Sequence, residues 1–342
     1  MVVLPLVLGL LAYALRLLAY ERQHDFVQGW SERRDEQEQA LIARGRRAVV
    51  VVGSTYCTAA GSNQLANALR HGSQPLQAVY VGANSPTIRV SQLMPVAQQH
   101  TEQEYAQRLA ASFEQMAGAL DVELQPFNRD VPLCVRIKHN QVLSDDAILS
   151  LWRSSLRRER PVDQVVFATT DDGLMWLDSW LDEPPRARLL LSIEVNLFLE
   201  PVPEHAESVS AVLLATAELC TAQEVAPMAR VHRPVRVMDP APALQDACRW
   251  GELSVQDKAF FTWHSQMSRQ TLGDAHLALF STGYRPDVAR THSLDKSLGL
   301  PECAVGNIAL ILASEQARTD QQPQLVMLRD TSVQALVVQP VR

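Results

Sequence analysis

Cysteine is scarce in this chain of 342 residues, and what there is excludes two classes of protein. Cys57, Cys134, Cys220, Cys248 and Cys303 are odd in number, widely spaced and free of any CxxC pair, so neither a disulfide framework nor a zinc module is indicated. Buried free thiols in a reducing compartment are the plain reading. Basic charge is also in short supply: 31 Lys and Arg stand against 38 Asp and Glu, for a net charge of −7. That balance excludes a broad nucleic-acid surface, which needs clustered cations to displace counterions from phosphates. Neither GxGxxG nor GxxxxGK[ST] occurs, so a nucleotide or dinucleotide loop is not supported, and the absence of GxSxG removes the hydrolase nucleophile elbow. There is no HExxH, and His264, His276 and His292 fall in different predicted elements, so no metal or other cofactor is expected.

What is present is ample material for a core, with 47% hydrophobic and 20% charged residues. Residues 1–20 are apolar apart from Arg16 and, as a helix, reach about 30 Å, enough to cross a bilayer. No Lys or Arg precedes Arg16, as a cleaved signal peptide would require, so an uncleaved anchor is expected. Arg22, Arg33, Arg34, Arg44, Arg46 and Arg47 follow it, which predicts a single-pass protein of the bacterial inner membrane with its body in the cytoplasm. Residues 21–47 lack proline and are rich in Glu, Gln and Arg, the composition of a polar helical linker.

The body opens with Ala48, Val49, Val50, Val51, Val52 and Gly53, a β-branched run typical of a strand buried on both faces. A small-residue loop over 54–61 and a helix over 63–71 follow. Further strands are predicted at 77–81, 165–169, 189–198 and 208–214, with helices at 101–119 and 144–157. Pro227, Pro234, Pro240 and Pro242 mark 225–242 as a connection between a half spanning 48–224 and one spanning 243–342. The second half is expected to hold a helix at 255–272, a strand at 276–281, a helix at 305–316 and strands at 324–328 and 333–339. This alternation predicts an α/β chain with a mixed sheet. Cys57, in its small-residue loop, is the thiol with a functional setting, although burial for packing is the plainer account. Trp176 and Trp180, at i and i+4, read as a packing face.

Several segments together are similar to a known family. They are the Val49 to Gly53 start; residues 204–214, Glu-His-Ala-Glu-Ser-Val-Ser-Ala-Val-Leu-Leu; Ser281, Thr282, Gly283 and Tyr284 with Asp287; and Lys296 with residues 299–306. In order and spacing they resemble the EGAGALVLE-type strand, the HGTGT loop and the GHxxGAAG motif of β-ketoacyl synthases. The resemblance implies a thiolase-like fold of two similar α/β halves, preceded here by the hydrophobic helix.

Departures from those motifs imply a loss of chemistry. The synthases need a cysteine at a helix start and two histidines that polarise the thioester carbonyl. On this alignment Phe280 and Leu300 occupy the histidine positions, and neither side chain can donate a hydrogen bond. The helix at 144–157 is preceded by His139, Asn140 and Gln141 rather than a cysteine, and Cys134 lies too far upstream. Arg329, Asp330, Thr331 and Ser332 replace the closing FGFGG-type loop. Phe280, Thr282, Gly283, Lys296, Gly299, Leu300 and Gly306 are thus expected to be vestigial active-site positions of a noncatalytic protein. The resemblance implies action through a protein surface, as an adaptor or chaperone for a secreted effector of a type VI secretion apparatus, with a homodimer as a further expectation. The alternative is an acyltransferase or condensing-type enzyme using Cys57 or Cys134 on thioesters.

Overall fold

The computed structural model describes residues 3–80, 87–155, 160–169, 172–183, 188–255 and 260–341. Two compact units are present, Met1–Arg46 and Arg47–Arg342. The first is one long helix, α1 (Val3–Gly45). It carries as much polar as apolar character along its length, and among the described residues no helix is long and apolar enough to cross a membrane. The anchor expected at 1–20, and the inner-membrane placement built on it, are therefore overturned. Arg16 interrupts the apolar run, and the helix continues unbroken into its Glu- and Arg-rich part, whereas a spanning helix needs about 20 predominantly apolar residues.

In the second unit, β1 (Ala48–Thr58) runs through most of the predicted loop at 54–61. Ser54 to Thr58 pair with Val212 to Ser208, so cross-strand partners supply the order that local propensity does not. The register shifts between Val51 and Gly53, where a Cβ would lie 2.5 Å from Glu123 Cγ. The first half continues with α2 (Leu65–Arg70), β2 (Gln77–Val79), β3 (Ile88–Val90), α3 (Glu102–Leu124), β4 (Leu133–His139) and α4 (Asp145–Ser155). It closes with β5 (Val162–Phe167), α5 (Trp176–Asp182), β6 (Leu189–Asn196), β7 (Ser208–Ala215) and α6 (Ala217–Ala222). The second half holds β8 (Ala229–His232), β9 (Val235–Arg236), α7 (Pro240–Trp250), β10 (Phe261–Ser265) and α8 (Arg269–Ser281). After these come β11 (Thr291–Ser293), α9 (Leu294–Ser297), α10 (Val305–Asp320), β12 (Gln324–Arg329) and β13 (Val333–Pro340).

Strand pairing repeats one pattern. Along β5-β4-β6-β7-β1 the pairs run parallel, parallel, antiparallel, antiparallel. Along β11-β10-β12-β13-β8 they run in the same series, with the strands in the same chain order. The two five-strand sets join through antiparallel β1 and β8, with Val50 opposite Arg230, and β9 adds to β13. In each set a helix leads into the second strand, and a further helix leads from it to the outer strand: α3, β4, α4 and β5 in the first, α7, β10, α8 and β11 in the second. Two similar α/β halves thus make one mixed sheet.

Strands β4, β6 and β7 are buried at every position, as expected of strands covered on both faces. On one face Phe113, Met116, Ile148 and Trp152 of α3 and α4 pack on Val135, Ile193 and Leu213. On the other, Ile308, Leu310, Ile311 and Leu312 of α10 belong to a core shared with Val212, Leu214, Val326 and Leu336. Helices α7 and α8 cover the outer face of the second set through Leu244, Ala278 and Leu279.

The helix expected at 255–272 and the strand expected at 276–281 are exchanged: β10 lies inside the first range, and α8 contains the second. Leu272, Ala275, Ala278 and Leu279 recur at helical spacing, and the packing of that stripe overrides the short strand-like run. The connection at 225–242 is not a spacer, since it supplies β8, β9 and the first turn of α7, where Pro240 has its usual place.

Candidate functional site

Alternation along β4 and β6 puts Arg136, Lys138, Ser192, Glu194 and Asn196 on one face and Val135, Ile137, Leu191, Ile193 and Val195 on the other. Ser192 and Glu194 thereby reach the first turn of α10. Glu194 Oε2 accepts the backbone N–H of Asn307 at 2.7 Å, a carboxylate meeting the positive end of a helix dipole. The other oxygen takes Arg136 Nη1 at 3.0 Å, and the same nitrogen donates to Ser192 Oγ at 3.0 Å. The Arg136 guanidinium lies 4.7 Å over the Trp176 ring. Asn307 Nδ2 donates to the Ser192 carbonyl at 2.9 Å, so α10 is tied to the sheet by side chain and backbone together. Gly306 packs closely here, since a Cβ would lie 3.0 Å from Glu194 Oε1 and 3.2 Å from Leu174 Cδ2.

Next to this pair, Lys138 forms an ion pair with Asp330, whose carboxylate also accepts the Gly173 N–H at 2.7 Å. Asp172 accepts the N–H groups of Thr331 at 3.1 Å and Ser332 at 3.0 Å and the Gln334 amide at 2.7 Å. Burial acts to raise the Asp172 carboxyl, but the hydrogen bonds from Ser332 and Thr331 outweigh it and hold it below the usual carboxylate range. Cys303, in the turn before α10, donates its thiol to the Val195 carbonyl at 3.2 Å and to Asn196 Oδ1 at 3.4 Å. Burial, then the Glu194 charge, pushes that thiol up to about 12. The loops at 172–174 and 329–332, the ends of β4 and β6 and the start of α10 therefore meet in a cluster of mutually neutralised charges.

Of the positions singled out in the sequence, Leu300 and Gly306 lie beside this junction. Gly299 adopts φ +100° with the His205 and Glu204 backbone 3.1–3.2 Å from where a Cβ would stand. Leu300 then donates its N–H to the Glu204 carbonyl at 2.8 Å and accepts from Ala206 at 2.9 Å. Lys296, on α9, is exposed. Phe280 lies in the last turn of α8, Thr282 caps the helix and Gly283 follows in the turn that ends it. Phe280 is 62% exposed under Arg285, Thr282 Oγ1 donates to the Ala278 carbonyl at 3.0 Å, and Gly283 stops the helix at φ +92°. They stand at one end of α8, in a different part of the chain from Leu300.

Glu194, Asn307 and Lys138 belong to none of the motifs singled out in the sequence, whereas Asp330 stands in the segment that replaces the FGFGG-type loop. The available signal is a charge inside an otherwise apolar strand, as in Leu-Cys-Val-Arg-Ile-Lys-His and Leu-Leu-Leu-Ser-Ile-Glu-Val-Asn.

No thiol among the five is activated. Cys57 lies within β1 rather than in a loop, its Sγ 4.0 Å from the Ser112 carbonyl, and burial pushes it up to about 11. Cys220 is pushed up to about 11 and Cys248 to about 12 by the same cause. Cys134 is raised by burial as well. His264, buried on β10 with its Nδ1 unpartnered, is pushed down to about 4 by burial first and then by His276, Lys296 and His292. Among the described residues no group of three or more His, Cys, Asp or Glu side chains could hold a metal ion.

No protein-family model matches the chain. Among the curated proteins no match is found either. Solved structures do match. A type II polyketide ketosynthase complex with its acyl-carrier protein has a TM-score of 0.63 at 14% identity, with 86% of this chain and 100% of that one covered. A β-ketoacyl synthase from Burkholderia phymatum gives 0.57 at 11%, covering 86% and 100%. Human mitochondrial 3-ketoacyl-CoA thiolase in complex with CoA gives 0.54 at 11%, covering 87% and 99%. At such identities the likeness is one of fold, and the fold is thiolase-like.

Proposed function

We propose that this chain is a noncatalytic thiolase-like protein that acts by binding another protein. The observation that supports it is the closed charge cluster around α10: Arg136 is spent on Glu194, Lys138 on Asp330, and the one cysteine there has a thiol raised rather than lowered. Thioester chemistry requires an accessible thiolate and a donor aimed at the developing oxyanion. Leu300 offers no side-chain donor, and its own backbone N–H is taken by Glu204. An adaptor or chaperone for an exported effector is the partner-binding role that the resemblance to degenerate thiolase-like proteins favours.

A condensing-type enzyme is the second reading, favoured by the fold likeness to ketosynthases and thiolases. It would need Cys57 or Cys134 as nucleophile. The two separate in one experiment. The full chain is incubated with acetyl- and malonyl-thioesters and its intact mass recorded, and a tagged copy expressed in its own source is purified to identify what accompanies it. An unchanged mass with a stoichiometric effector protein is the expected result. An acyl adduct on either cysteine would overturn the noncatalytic reading.

A further inference from the structure

The long helix α1 leaves large apolar side chains in solvent: Tyr13, Leu17, Tyr20 and Val27 are 46–69% exposed. A helix gains little from propensity alone and draws most of its stability from packing an apolar stripe. These four residues continue a spacing that begins earlier in the sequence. Val3, Leu6, Leu10, Tyr13, Leu17, Tyr20, His24 and Val27 follow one another at alternating intervals of three and four, the a and d positions of a heptad. The run covers roughly 36 Å of helix at 1.5 Å per residue. Ser31, Arg34 and Glu38 occupy the next such positions, so the seam ends after Val27.

Charge identifies what covers this row. Arg16, the one charged residue among the first 20, stands at a g position, and Glu21 stands at an e position. Both are exposed, and among the described residues neither is ion-paired. They cannot serve each other within one helix, because neighbours on a helix surface are three or four residues apart and these are five apart. Between two parallel helices in register, a g residue faces the e residue five positions further along the other chain. Arg16 of each copy then meets Glu21 of the other, twice over. Leu11, Leu15 and Leu18 form a second exposed row on the other side of α1, but that row runs into Arg22 and Asp25 and has no such opposite charges beside it.

We propose that α1 forms a parallel coiled coil with α1 of a second copy of this chain. Tyr13, Leu17, Tyr20 and Val27 make its seam, and reciprocal Arg16–Glu21 pairs fix its orientation and register. The contact belongs to the Met1–Arg46 unit and holds whether or not the rest of the chain is catalytic.

The full chain is studied by sedimentation velocity in detergent-free buffer, beside Arg16→Glu and the exchange of Arg16→Glu with Glu21→Arg. A dimer is expected for the parent. Its dissociation constant should rise about tenfold or more in Arg16→Glu, where two attractions become two repulsions, and return close to the parent value in the exchanged variant. High salt should narrow the difference. Arg16 is exposed, so its replacement leaves the fold intact. Tyr20→Cys should give a disulfide-linked dimer with oxidised glutathione, since d residues face their own copies across a parallel seam, whereas Leu18→Cys on the opposite side should not. A monomer, whether free or held on phosphatidylcholine vesicles, a dimer indifferent to Arg16→Glu, or equal cross-linking at positions 18 and 20 would each overturn the proposal.

Discussion

Glu194 on β6 and Asn307 at the start of α10 are 113 residues apart in sequence and joined by a 2.7 Å hydrogen bond from backbone N–H to carboxylate. Through Arg136 the same carboxylate is also half of an ion pair whose side chains are only 5% and 1% exposed. This contact seats the central helix of the second half on the sheet of the first.

Removing Glu194 takes an ion-pair partner from the buried Arg136 and the acceptor from the buried Asn307 N–H. Glu194→Ala is expected to destabilise the protein by about 3–5 kcal/mol, read from urea unfolding midpoints at unchanged slope. Replacing both partners together, as Arg136→Met with Glu194→Leu, should cost much less. Equal losses in the single and double variants would show that packing rather than charge holds the contact.

Gly299 is the other fixed point of the junction. With φ at +100° and backbone atoms 3.1–3.2 Å from the place a Cβ would take, Gly299→Ala is both strained and crowded. A loss of about 1–3 kcal/mol is expected, with the pairing of Leu300 to residues 204–206 opening first. Amide exchange at Leu300 and Ala206 would report this; protection equal to that of the parent would refute it.

Acid should weaken the fold through His264. Its folded pKa is pushed down to about 4, below the ordinary histidine value of about 6.5, so the unfolded chain binds more protons between those limits. Stability contributed by the neutral ring is then complete above pH about 6.5 and is lost as pH falls towards 4, by an amount on the order of 3 kcal/mol. His276 and His292, shifted in the same direction by burial, steepen the slope. Unfolding free energies measured from pH 7.5 to 4.5 should flatten in His264→Gln; an identical slope in that variant would remove the histidine from the explanation.

The cysteines should be inert in the native state. Cys57, Cys220 and Cys248 are buried and their thiols raised, so a thiol-reactive disulfide reagent at pH 7.5 should label none of them quickly. All five should react after unfolding in denaturant. Rapid labelling of any one of them in the folded protein would reopen thioester chemistry at that residue.

Much of the architecture was legible before any contact was known. The valine run of β1, the aliphatic strands β6 and β7, the helix α10 and the closing pair β12 and β13 all stand where periodicity and spacing put them. The misreadings have particular causes. Residues 276–281 are too short a window to tell strand from helix, and only the burial of Ala275, Ala278 and Leu279 on one side of α8 decides between them. Phe280, given its vestigial position by the likeness to the HGTGT loop, turns its ring to solvent under Arg285. At the amino terminus the apolar run was read apart from the polar stretch that the same helix continues through.

Composition and local pattern by themselves determined that this is an α/β chain, because alternation and helical spacing are properties of neighbours along the chain. The same holds for the exclusion of nucleotide loops and zinc modules, which are short motifs. The partnership of Glu194 with Arg136 and Asn307, of Lys138 with Asp330, and of Asp172 with Ser332 was decided only in the tertiary structure. A buried charge is tolerated where its partner waits, and no local rule says which strand or loop, 58 or 192 residues away, will bring that partner within hydrogen-bond reach.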